Sequence, residues 1–270
     1  MPQLTPGLVS ITFRQLAPPE VIDLVVKAGL NGIEWGGDIH VPHGDIARAK
    51  EVRHQTLEAG LSIAAYGSYY RLGVSETQGL SFARVLDSAV ALGAPTIRLW
   101  AGNKGSAETS DAERNAVIAD ARRVADLAQR QGIVVSLEYH GGTLTDTRDS
   151  VRRLLGEISH PNLDFLWQPT NGEPAEACLA RLHDVLPQVR HVHVFHWWPT
   201  AAERRPLAEG ETSWLRYLDV IRRSGKTMPC LLEFVRDDSP EQFLRDAATL
   251  RRWLDPVTAS VIGSGGDSVS

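Results

Sequence analysis

Only two cysteines, Cys178 and Cys230, occur in 270 residues. That is too few for a disulfide framework, and it points to a reducing compartment, with the cytoplasm as the expected location. No apolar stretch approaches the roughly 18–20 residues needed to cross a bilayer. The opening residues, Met1-Pro2-Gln3-Leu4-Thr5-Pro6, lack the basic and apolar regions of a signal peptide, so no membrane partner is expected. There is no basic excess either. The formal charge is −5, which disfavours broad contact with a phosphate backbone and hence a nucleic-acid partner. Also missing is a G-x-G-x-x-G after the first strand-like run: residues 8–16 contain nothing of the kind, which removes the dinucleotide-binding reading. What remains is an ordinary globular composition, 43% hydrophobic and 23% charged, with a small molecule as the expected partner.

The chain instead repeats one pattern: a short β-rich run, a loop, then an amphipathic helical stretch. Strands are expected at 7–13, 32–35, 62–66, 96–100, 133–138, 163–167, 189–195 and 230–235. Helices are expected at 18–28, 45–59, 76–92, 112–131, 146–158, 174–186, 213–223 and 240–254. Gly29, Gly60, Gly93, Gly132 and Gly225 follow five of these helices, where a residue of positive φ commonly ends the turn. Strands alternating with helices imply a parallel sheet. Eight units in about 250 residues fit an α/β fold of the single (β/α)8 TIM-barrel type. No interior linker is visible, so residues 1–258 are read as one catalytic domain and 259–270, rich in Gly and Ser, as a flexible tail.

Two of the strand-like runs carry a glutamate near their C-terminal ends: Val134-Val135-Ser136-Leu137-Glu138 and Cys230-Leu231-Leu232-Glu233, with His191-Val192-His193-Val194 between them. A carboxylate inside an apolar strand is costly unless it is paired or bound to a cation. Two such carboxylates with histidines between them suggest a shared site, most economically for a divalent metal. Alternate strand residues share a face, which groups Ser136 with Glu138, His191 with His193, Arg98 with Trp100, and Leu166 with Gln168, and sets Glu34 opposite Ile33 and Trp35. These polar faces are expected to point into the barrel and converge on the rim at the C-terminal ends of the strands.

The ordered set Gly32-Ile33-Glu34-Trp35, Leu137-Glu138-Tyr139-His140, His191-Val192-His193-Val194 and Leu232-Glu233-Phe234 resembles the xylose-isomerase-like barrels. This sugar-phosphate isomerase/epimerase superfamily contains ketose 3-epimerases, hydroxypyruvate isomerase, inosose dehydratase and, more distantly, endonuclease IV. The likeness covers the chain up to about Asp255. In such enzymes a metal is held by Glu of strand five, Asp of strand six, His of strand seven and Glu of strand eight. The resemblance therefore implies Glu138, Gln168, His193 and Glu233 as ligands, with Glu138 and Glu233 also as the catalytic acid–base pair. Strand six departs from the pattern. Gln168-Pro169-Thr170-Asn171 stands where members often carry Asp-x-x-His, so the ligand brings no charge and Asn171 takes the place of a substrate-side histidine. Two carboxylates, an amide and an imidazole suit Mn²⁺ or Mg²⁺, with Zn²⁺ or Co²⁺ as alternatives.

The activity so implied is isomerisation or epimerisation of a sugar or sugar phosphate, by proton transfer on an α-hydroxy carbonyl through a metal-stabilised enediolate. An inosose-dehydratase-like lyase and a non-catalytic sugar-binding relic are the alternatives. An endonuclease IV-like role would need a multi-metal cluster and a basic face. Rim candidates for substrate contact are Asn171, His40, Arg98, Trp100, Tyr66, His196 and Arg204, each with a bland counterpart: a core hydrogen bond, an ion pair or a solvated loop. His191 lies deeper on its strand and reads as a core histidine. The resemblance leaves room for a homo-oligomer.

Overall fold

Each expected strand–helix unit is present in the computed structural model, which describes residues 3–255. The expected tail at 259–270 lies outside the described residues. The strands are β1 (Leu4–Val9), β2 (Gly32–Gly36), β3 (Ser62–Arg71), β4 (Thr96–Trp100), β5 (Val134–Glu138), β6 (Leu163–Trp167), β7 (Val189–Val194) and β8 (Met228–Leu232). They close in chain order into one parallel barrel. The helices are α1 (Pro18–Lys27), α2 (Ile46–Glu58), α3 (Phe82–Leu92), α4 (Asp111–Gln129), α5 (Arg148–Ile158), α6 (Ala175–Val185), α7 (Glu211–Arg223) and α8 (Pro240–Leu254). The chain is a single (β/α)8 barrel.

Local chemistry sets most helix starts. Asp45, Ser81, Thr147 and Ser239 each accept a hydrogen bond from a backbone N–H of the first turn, and Ser110 with Glu113 forms a reciprocal capping box on α4. Gly93, at φ 75°, ends α3 in the left-handed region that a residue with a side chain resists.

Four elements depart from the sequence-based expectation by three residues or more at one end or both. β1 begins at Leu4 and stops at Val9, because Ser10–Phe13 turn into a 3₁₀ segment. β3 runs on to Arg71 through a bulge against β4 between Gly67 and Tyr70. α3 starts at Phe82, since Ser75–Gln78 form a separate 3₁₀ turn ended by Gly79 at φ 89°. β8 ends at Leu232, and Glu233 follows immediately, its N–H donating to the Val194 carbonyl at 3.1 Å.

The apolar core is the annulus between strands and helices. Ile33, Trp35, Ile97, Leu99, Val135, Leu137, Phe165, Trp167, Val192 and Val194 are all buried in it. Inside the barrel a small apolar cluster, Val9, Ile11 and Leu231, is a separate layer. Charged side chains share the interior with it, and they decide the chemistry. Among the described residues no helix is long and apolar enough to cross a membrane.

Candidate active site

At the centre stands Glu34 of β2, fully buried. Its Oε2 accepts a hydrogen bond from His193 Nε2 on β7 at 3.0 Å, and His191 Nε2 lies 3.3 Å from the same oxygen. Its Oε1 is 3.0 Å from Nε of Arg98 on β4. The other end of that guanidinium, Nη1, donates to Glu138 Oε2 at 2.5 Å. His193 Nδ1, the nitrogen turned away from Glu34, makes no hydrogen bond and lies 3.4 Å from Glu233 Oε1. A continuous chain of charge, Glu138–Arg98–Glu34–His193–Glu233, thus crosses the lumen. A glycine makes room for it: a Cβ at Gly67 of β3 would sit 2.7 Å from both Arg98 Nη2 and Glu34 Oε1.

Glu138 is held by three donors. Arg98 Nη1 and Trp100 Nε1 each reach Oε2 at 2.5 Å, and Gln168 Nε2 reaches Oε1 at 3.1 Å. Burial pushes its carboxyl up, but Arg98, His193 and His140 outweigh that and hold it below the usual carboxylate range. Glu34 behaves alike: desolvation opposes its charge, and His193, His191 and Arg98 together keep it well below that range. For His193 burial disfavours the imidazolium, yet the carboxylates of Glu233 and Glu34 raise it to about 10. Burial lowers His191 despite its Glu34 neighbour.

The donor set fits a divalent ion. Among the described residues, Glu138, His193 and Glu233 each offer a ligand atom within 4.8 Å of the others, and Glu34, His191 and His193 form a second such group. Gln168 Oε1 is buried with no partner, as is His193 Nδ1. An ion on His193 would displace the proton that Glu233 and Glu34 hold there; three buried carboxylates then face one guanidinium, and a single divalent cation cancels the excess. Gln168 Nε2 donates to both Glu138 Oε1 at 3.1 Å and the Tyr139 carbonyl at 3.0 Å, which fixes the amide and leaves Oε1 as its open acceptor.

Glu138, Gln168, Glu233, Arg98, Trp100 and Asn171 all line one cavity of about 540 Å³ at the C-terminal end of the barrel. Arg204 does not line it: its guanidinium lies 4.6 Å over the Phe234 ring, donates to Asp238 and borders a separate surface cavity with Ala201 and Asp237. His196 lines a neighbouring cavity of about 360 Å³ that shares Asn171 and Trp197 with the first. Two more expected contacts are not brought there either. His40 is buried against Ser10 Oγ and the Leu16 carbonyl, and Tyr66 faces outward, its hydroxyl bonded to the Val41 carbonyl and His43. In their place the cavity gains Tyr69, His140 and Arg14. Tyr69 sits at φ 56° in the β3 bulge with its ring over the Arg98 guanidinium, a reversal that strand parity does not foresee. His140 stacks on Trp100; the sequence marks it only as the residue after Glu138-Tyr139. Parity puts Glu34 on the inward face, but no spacing ties a lone glutamate to partners on two other strands, β4 and β7.

Residues 22–255 match the family model of the xylose isomerase-like TIM barrels. The chain belongs to this family. A 3-dehydroshikimate dehydratase of Bacillus anthracis is 28% identical over 200 residues, covering 69% of this chain and 70% of the relative. Among solved structures, the probable 3-DHS dehydratase of petrobactin synthesis from B. anthracis superposes with a TM-score of 0.75 at 22% identity, over 93% of this chain and 99% of that one. A xylose isomerase-like barrel from Mycobacterium smegmatis in complex with magnesium gives 0.72 at 18% identity, over 95% and 98%. A D-allulose 3-epimerase from Methylomonas gives 0.68 at 16%, over 94% and 99%. At these identities the structural likenesses show the fold alone. Both lyases and isomerases thus stand near this member of the family.

Proposed function

We propose that the chain is a metal-dependent lyase that removes water from a small cyclic β-hydroxy ketone bearing a carboxylate, of the 3-dehydroshikimate type. The observation that carries this reading is the asymmetry of the two site glutamates. Glu138 is clamped by Arg98, Trp100 and Gln168 and held below the usual carboxylate range, which suits a permanently charged ligand and not a proton carrier. Glu233 reaches the same cavity, and its ion pair is with His193 at 3.4 Å. One carboxylate acting as base is enough for β-elimination, whereas epimerisation needs acid–base groups on both faces of the substrate.

Glu138, Gln168, His193 and Glu233 are the residues that would hold the ion, Mn²⁺ or Mg²⁺ by their hard donors. Bound there, a divalent cation would polarise the substrate carbonyl and acidify the adjacent C–H. Glu233 takes that α-proton. The β-carbon–oxygen bond then breaks, and His140, on the cavity wall, gives a proton to the departing hydroxyl so that it leaves as water. Trp100 and Tyr69 provide flat apolar surface for the ring, and Arg14 at the mouth offers a cation to its carboxylate. The dehydratase relative from B. anthracis supports the same substrate class.

Isomerisation or 3-epimerisation of a sugar is the second reading, supported by two carboxylates on well-separated strands, β5 and β8. The test is product mass after incubation with 3-dehydroshikimate and with a panel of ketoses, with Mn²⁺ or Mg²⁺ added. Loss of one water from 3-dehydroshikimate, abolished by Glu233→Gln, is expected. A mass-conserving product from a ketose returns the isomerase reading. Ligand binding without turnover in either panel leaves the sugar-binding relic.

A further inference from the structure

We infer that Glu34 is a positioning residue of this site, fixing His193 and Arg98 from β2 and thereby holding two ion ligands that stand on different strands. The inference rests on the metal reading above. Glu34 lies outside that ligand set, and its carboxylate is spent within the barrel: one oxygen accepts from His193 Nε2, the other faces Arg98 Nε. The bond to Nε2 fixes the imidazole tautomer. In the neutral, ion-ligating imidazole a proton held on Nε2 toward Glu34 leaves Nδ1 as the lone-pair nitrogen, and Nδ1 is the atom that lies near Glu233 and lacks a hydrogen bond. A carboxylate on the far nitrogen also raises the basicity of the ligating one.

The second arm works through Arg98. With Nε against Glu34, its Nη1 is aimed at Glu138 Oε2, so Glu34 sets the guanidinium that sets the strand-five ligand. Gly67 is part of the same arrangement, since any side chain there would occupy the space of the Glu34–Arg98 pair.

The cluster Glu34, His191 and His193 also has the composition of a second ion site. Two features argue against that use. Arg98 already places a positive charge 3.0 Å from Glu34 Oε1. All three members are essentially sealed from solvent, which leaves a hard cation without the waters that complete its shell.

The test is calorimetric titration of chelator-treated wild type and Glu34→Gln with Mn²⁺, with circular dichroism to check the fold. Expected are one ion per chain in both proteins and an affinity about 10–100-fold lower in the variant. Equal affinities overturn the inference and leave the metal reading intact. Two ions per wild-type chain overturn it by making Glu34 a ligand. No binding by wild type overturns both. Because the variant could fail to fold, ¹⁵N-histidine NMR of Zn²⁺-loaded wild type gives a second readout: a metal-shifted Nδ1 and a protonated Nε2 on His193 are expected, and a metallated Nε2 overturns the inference.

Discussion

Arg98 and Glu138 form a buried ion pair with Nη1 and Oε2 2.5 Å apart, each side chain no more than 4% exposed. The same guanidinium also serves Glu34, so one cation compensates two carboxylates. Arg98→Met is expected to leave both without their cation and to destabilise the chelated protein by about 3–5 kcal/mol, read from urea unfolding. Saturating Mn²⁺ should restore part of that loss, because the ion supplies positive charge to the same carboxylates.

Acid should attack the same pairs. Glu34 and Glu138 have folded-state values lowered from the ordinary 4.5. Groups shifted this way contribute stability that is fully present above their unfolded value and is lost as pH falls through the folded one. Chelated wild type is therefore expected to lose stability steeply below about pH 4.5 in urea titrations. Arg98→Met, which removes one cause of both shifts, should show a shallower acid limb.

Gln168→Asp separates the two states of the site. Without metal it replaces an amide donor to Glu138 with a second carboxylate, so the melting temperature of the chelated variant should fall. With Mn²⁺ it adds a charged ligand, and the affinity should rise by about tenfold, on the order of 1.4 kcal/mol. Calorimetry together with melts in chelator checks both signs. A rise in chelated stability would mean that residue 168 does not face Glu138 as described.

Gly67→Ala introduces a Cβ 2.7 Å from Arg98 Nη2 and Glu34 Oε1. Neither group can retreat without breaking the charge chain, so a cost of about 1–3 kcal/mol is expected, with weaker Mn²⁺ binding measured in the same sample. Gly60→Ala is the comparison. Gly60, unlike Gly67, has positive φ, and nothing lies near its would-be Cβ, so it should lose stability through backbone strain while keeping its ion affinity.

Most of the fold was legible because two signals agreed. Apolar periodicity marked eight units, and the glycines after five helices, such as Gly60 and Gly93, do adopt positive φ. Strand parity placed Arg98, Glu138 and His193 on the inner face because each lies in a regular strand. It failed where the strand is irregular. The strand expected at 62–66 continues to Arg71 through a bulge, and that bulge turns Tyr69, not Tyr66, toward Arg98. His40 has the loop context of a rim residue, but Ser10 and Leu16 claim both its nitrogens, and neither contact leaves a local sequence signature. Glu34 shows the same limit from the other side. Its meaning comes from β4 and β7, and only closure of the barrel brings those strands within reach.

β2 and β7 are not neighbours in the sheet, yet Glu34 and His193 meet at 3.0 Å. That bond is a chord across the barrel's cross-section, and its length is fixed by how round the section is. Flattening the barrel along one axis stretches this chord and shortens others, so any such distortion reaches the ligating nitrogen of His193 directly. The interior is thus a gauge of the barrel's shape: a substitution on the outer helices that ovalises the section should register as a change in ion affinity before it registers as unfolding.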